Sequence, residues 1–115
     1  MILKLISGVV LLSLMHISIW WATNTQLLEG YSYKKSLAYA VGLSIPISLF
    51  SFYATRVLYS AAHESLWAVR FIAFGVSYLV FPIMTWYFLG ESMFTLKTLA
   101  CIFLSIIIIL IQIFL

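Results

Sequence analysis

ATRVLYSAAHESLWAVRF, residues 54–71, is the place where two apolar runs meet across the short polar break His63-Glu64-Ser65. The residues before the break (36–62) and after it (66–89) each approach the roughly 20 apolar positions a helix needs to cross about 30 Å of hydrocarbon. A break this short fits a tight turn, so the two runs read as an antiparallel hairpin of membrane-spanning helices. The same stretch carries two arginines, Arg56 and Arg70, each several residues inside an apolar run. They are either anchors reaching back to water or groups that line something needing positive charge.

Composition supports the membrane reading for the whole chain. Of 115 residues, 65% are hydrophobic and 8% charged, and the mean hydropathy is +1.18. A water-soluble domain carries about 25% charged residues, so this chain cannot cover a water-facing surface. Six Lys/Arg stand against three Glu, too few and too scattered for a nucleic-acid footprint. Cys101 is the single cysteine, so the chain can form no internal disulfide. No CxxC, HExxH, GxGxxG or Walker motif occurs, and the sequence implies no enzyme, no metal and no cofactor.

Two further spans follow from the same length rule. The first, 2–22, ends in Trp20-Trp21, a doublet suited to the membrane–water interface. Lys4 ahead of an apolar core also suits a signal peptide, but cleavage after Ala22 would place Trp20 where a small residue is expected. TNTQLLEGYSYKK, 23–35, reads as an exposed loop. The second span, 36–62, contains Pro46, which predicts a kink because proline lacks an amide donor and clashes one turn back. Ser44, Ser48, Ser51 and Thr55 share one face of that span, and close helix packing is the expected use, ahead of a hydroxyl-lined conduit. The third span is 66–89, with Pro82 and an aromatic exit at Trp86-Tyr87, and a GES turn at 90–92 follows. The fourth is 93–115, with Ser92 as its expected N-cap and Glu91 complementing the helix dipole. Its IIIIL run at 106–110 suits a helix facing lipid or another chain. The fold class is therefore an all-α integral membrane protein, a single bundle of four transmembrane helices.

The charge count does not choose a side. Lys4, Arg56 and Arg70 fall on one side of the bilayer, and Lys34, Lys35 and Lys97 on the other. Lys/Arg bias orients helices, so a balanced count is what insertion in both orientations, and antiparallel pairing, would require. An insertion partner, or the two-lysine loop alone, is the plainer alternative.

LWAVRFIAFGVSYLVFPIMTWYFLGESMFTLKTLACIFLSIIIILIQI, 66–113, resembles the closing hairpin of the drug/metabolite transporter superfamily, in particular its small multidrug resistance branch. The likeness lies in Gly75 within the third helix, the exit TWYFLGES (85–92) and the terminal apolar helix, and it covers about half the chain. ATRVLYSAA, 54–62, resembles a less characterised four-helix branch of the same superfamily. The resemblance implies a small transporter of a bacterial inner membrane, working as a homodimer for which the balanced charge allows antiparallel pairing. Drug-exporting members carry a glutamate in the first helix. Here that position falls near Leu14, beside Ser13, Met15 and His16, and no acid precedes Glu29. The Gly-rich patch early in the third helix is replaced by FIAF, 71–74. Proton-coupled export of cationic drugs is therefore not implied.

The candidate ligand-binding residues are Arg56, Arg70, Tyr59, Trp67, Glu64 and His16. Arginine pairs bidentately with carboxylate or phosphate, and Tyr59, Trp67 and Arg70 are spaced to share a vestibule beside the turn. Inward-facing guanidinium groups would meet Glu64, a partner chain or an anionic ligand, whereas snorkelling to the interface needs no ligand. His16, mid-span, either hydrogen-bonds a neighbouring helix or handles a proton or ligand. Two functions follow as expectations. One is a transporter or flippase-like protein for an anionic or lipid-linked ligand, acting as an oligomer. The other is a non-catalytic accessory subunit packed against a larger membrane complex.

Overall fold

A computed structural model describes residues 2–115. Four helices account for nearly all of them: α1 (Ile2–Asn24), α2 (Tyr33–Ala61), α3 (Leu66–Leu89) and α4 (Leu96–Phe114), with a 3-10 turn at Thr25–Leu27. All four are long and apolar enough to cross a membrane, so the chain is an all-α integral membrane protein.

Three helices differ from the sequence expectation: α1 continues through Asn24 instead of stopping at Ala22, and capping sets the starts of α2 and α4. α2 begins at Tyr33 because the Ser32 hydroxyl accepts from the Lys35 amide at 3.2 Å, which draws Lys34 and Lys35 into the first turn. α4 begins at Leu96, with Thr95 rather than Ser92 as its N-cap, accepting from the Thr98 amide at 3.3 Å. Ser92 accepts instead from the Phe94 amide at 3.2 Å, a local turn bond that keeps 91–94 out of the helix. Glu91 nevertheless lines a small cavity with Thr98, so its charge stays beside the first turn of α4. α2 runs as one helix through Pro46. The serines on either side bond the Val41 and Ser44 carbonyls, not that of Gly42, which the proline leaves without its usual donor.

α1 is the central element. It packs extensively on α2 and also on α3, while α4 rests principally on α3. α2 and α3 barely touch, although only a four-residue turn separates them. The molecule is accordingly flattened, with extents of 45 × 35 × 20 Å. Leu12, Met15, Ala54, Leu58, Val69, Ile72 and Val76 form the core where α1 meets its two neighbours. Gly8 permits the α1–α2 contact, since a Cβ there would overlap the fully buried Leu58 side chain. Gly75 does the same for α3–α4, where a Cβ would collide with Ile109 and lie 3.2 Å from the Ser105 carbonyl oxygen. Small residues at contacts of this kind bring helices close enough for dispersion to hold them, which matters in lipid, where no hydrophobic effect drives association.

The two ends of the α1–α3 contact are unlike. At the α1 C-terminal end, Trp20 donates from Nε1 to Thr85 Oγ1 at 3.0 Å, and Trp20, Trp21 and Phe88 cluster with centroids 4.9–6.0 Å apart. These rings clamp α1 to α3 at interfacial depth. Toward the opposite end, where the 62–65 turn joins α2 to α3, the three helices line a crevice.

Candidate functional site

Because α2 and α3 scarcely touch, they leave a crevice of about 500 Å³ over α1. Leu12 and Met15 of α1 form its floor, Ser51 and Thr55 one wall, and Leu66, Trp67, Val69, Arg70 and Ala73 the other. Helical spacing explains the assignment. On α2, Ala54 and Leu58 turn toward α1, and Ser51 and Thr55, one turn apart, flank that buried face. On α3, Val69, Ile72 and Val76 are buried, and Leu66, Arg70 and Ala73 lie along the adjoining edge.

The lining covers about two turns of α3 and one of α2, so the crevice extends along the helix axes. From Leu66, next to the 62–65 turn, it reaches Ser51, ten residues before the end of α2, or about 15 Å at 1.5 Å per residue. That is close to half the hydrocarbon thickness. Its surface is mostly aliphatic and aromatic, with one cation and two hydroxyls.

Arg70 sits with its guanidinium carbon 4.9 Å from the centroid of Phe74, four residues along α3. A cation–π contact of this type is worth about 0.5–1 kcal/mol at an exposed site, weak enough to be exchanged for an anion. Trp67 stacks on Phe71, with centroids 6.1 Å apart, and is 75% exposed.

The remaining candidates disperse around this crevice. Arg56 is exposed and lies half a turn from Ala54 and Leu58, on the side of α2 away from α1. Both arginines are exposed, and of the two only Arg70 borders the crevice. Tyr59 lies one turn beyond Thr55, outside the lining, and its carbonyl accepts from the Glu64 amide at 2.9 Å. Glu64 is exposed in the turn and contributes no wall. His16 stands behind the crevice, its Nε2 3.1 Å from the carbonyl of Ala73.

Ser51, Thr55, Leu12 and Met15 were not among the residues singled out as ligand-binding from sequence. The hydroxyl spacing on α2 carries the signal, although in sequence it suits a packing face equally well. Ser44, Ser48 and Thr55 are exposed and Ser51 is half-buried, so this face is not packed against another helix of the chain. Compared with family models, with curated proteins and with solved structures, the chain has no match.

Proposed function

We propose that this protein binds an anionic amphiphile in the α2–α3 crevice and serves as a small transporter or flippase-like protein for it, working as an oligomer in a bacterial inner membrane. The observation that carries the proposal is the placement of Arg70 on a largely apolar crevice between two membrane-spanning helices. A soluble ion would have no use for aliphatic walls facing lipid, whereas an amphiphile brings a head group for Arg70 and a chain for Leu12, Met15 and Val69. An arginine near the bilayer centre costs about 2.5–3.5 kcal/mol on insertion scales. A bound anion offsets that cost as the head group moves deeper. The even division of Lys/Arg between the two sides suits a homodimer, antiparallel in arrangement, whose second copy would complete the open wall.

A second reading has its own support. α4 rests principally on α3 and leaves Phe103, Leu104 and Leu110 exposed, a surface on which an accessory subunit could pack against a larger complex.

Size and thermal unfolding of the purified protein in mild detergent separate the two. A dimer whose unfolding temperature rises with an anionic lipid, and an Arg70→Gln variant that assembles but loses the rise, are the results expected of the transporter reading. Obligate one-to-one association with an unrelated membrane complex, with no lipid response, would replace it with the accessory role.

A further inference from the structure

The hydroxyls of the membrane helices fall into two groups. Ser13, Ser18, Thr23, Ser48 and Ser105 donate to the carbonyl four residues back, and Ser44 to the one three back, at 2.5–2.9 Å. In lipid this back-bonding is the usual way to satisfy a hydroxyl proton. Ser51 and Thr55 make no such bond among the described residues, although both continue the same face of α2 as Ser44 and Ser48. Ser7, Ser36, Ser60, Ser77, Thr85 and Thr98 donate no such bond either, but they lie outside the crevice. Ser51 and Thr55 are thus the uncommitted hydroxyls that line the same crevice as Arg70.

We infer that Thr55 and Ser51 are specificity-determining donors that, with Arg70, hold the acceptor oxygens of a phosphate head group and thereby tie α2 to α3. The inference rests on the anionic-amphiphile reading and narrows it. Arg70 alone would attract any anion, but two hydroxyl donors on the facing wall add a demand for several acceptor oxygens in different directions. Phosphate offers that geometry. A trimethylammonium group has neither negative charge nor an acceptor. Back-bonded Ser48 and Ser44 have already committed their protons, so donation ends at Ser51 and the head group is expected to seat between Ser51 and the turn. Because α2 and α3 scarcely contact one another, a ligand bonded to both walls acts as the cross-tie this side of the fold lacks.

The test uses the full-length detergent-purified protein with dioleoyl phosphatidic acid, a trimethylammonium lipid of the same chains, and inorganic phosphate as probes. Binding is read from the rise in unfolding temperature against probe concentration. Phosphatidic acid is expected to stabilise the wild type and the trimethylammonium lipid is not. Thr55→Val and Ser51→Ala should each weaken the response about tenfold, the effect of one hydrogen bond to a charged group. Ser48→Ala, which removes a committed hydroxyl, should leave it unchanged. Inorganic phosphate acting as strongly as the lipid, with the same losses in Thr55→Val and Ser51→Ala, would keep the donor assignment and move the source from lipid to free anion. A wild type that responds while Thr55→Val and Ser51→Ala respond equally well overturns the inference and leaves the anionic-amphiphile reading standing. Absence of any response to phosphatidic acid in the wild type overturns both.

Discussion

His16 Nε2 and the carbonyl oxygen of Ala73 are 3.1 Å apart, a bond that joins α1 to α3 directly behind the crevice wall. A carbonyl only accepts, so Nε2 must be the protonated nitrogen, and the imidazole bridges two helices without needing a charge. Interhelical hydrogen bonds in membranes average about 0.6 kcal/mol and reach about 1.7. His16→Leu is therefore expected to lower stability by about 1 kcal/mol and to leave the response to anionic lipid intact. Unfolding in detergent, with and without phosphatidic acid, measures both. A folded His16→Leu protein that no longer senses the lipid would assign the ring to ligand or proton handling instead.

Gly75 and Ile109 form a steric pair at the α3–α4 contact. A Cβ at Gly75 would overlap the Ile109 side chain, and the Ser105 carbonyl closes the same space from another side. Gly75→Ala should destabilise by about 1–3 kcal/mol, the range for overpacking. Ile109→Ala alone leaves a partial cavity and destabilises too. Combined, the two substitutions should be less harmful than their sum, because the added methyl occupies space the isoleucine vacates. A double-mutant cycle on unfolding free energies checks this, and strict additivity would mean the two residues do not meet.

The glycine pair also shows what was legible in the sequence. Four spans and the tight turn at 63–65 follow from length and hydropathy alone, since lipid allows few alternatives to a helix. Gly75 was visible as a feature, but its partner on α4 was not, because IIIIL gives no preferred face. The crevice was hidden for a different reason. Ser51 and Thr55 look the same in sequence whether their face packs or gapes, and only the scant contact between α2 and α3 decides. Arg56 and Arg70 likewise stand at similar depths on either side of one turn. Their helical phase relative to Ala54, Leu58 and Val69, not depth, separates them. Ser92 is the cap the sequence suggests, whereas Thr95, three residues on, accepts from the Thr98 amide and starts α4.

His63 (φ 53) and Glu64 (φ 60) place two consecutive non-glycine residues in left-handed conformation at the end of α2. The Glu64 amide bonds the Tyr59 carbonyl at 2.9 Å, the long bond of a Schellman cap in which His63 holds the position usually given to glycine. Each such residue costs about 1–2 kcal/mol, partly offset because glycine loses more entropy on folding, about 0.5–1 kcal/mol. His63→Gly and Glu64→Gly should each stabilise the protein by roughly 0.5–1 kcal/mol. Thermal unfolding of the single and double variants tests this. Destabilisation by both would show that the turn is not left-handed in the folded protein.

Arg56 and Arg70 should separate cleanly in experiment. Arg56 points from the side of α2 opposite α1, so Arg56→Gln removes no crevice group and should preserve the anionic-lipid response that Arg70→Gln abolishes. Its consequence should appear instead in orientation. Lys4, Arg56 and Arg70 balance Lys34, Lys35 and Lys97 across the membrane, and removing one charge tips the count toward the lysine side. Lys/Arg near helix ends are retained on the cytoplasmic face, so Arg56→Gln should raise the fraction of molecules whose 25–32 loop is cytoplasmic. Accessibility of a single cysteine introduced in that loop, in a Cys101→Ser background, measures the fraction from each side of sealed vesicles. If Arg56→Gln instead eliminates lipid binding while Arg70→Gln does not, the anion site lies on the outer face of α2 and the crevice assignment fails. If neither changes binding, the response owes nothing to guanidinium and the head-group chemistry proposed for this protein is wrong.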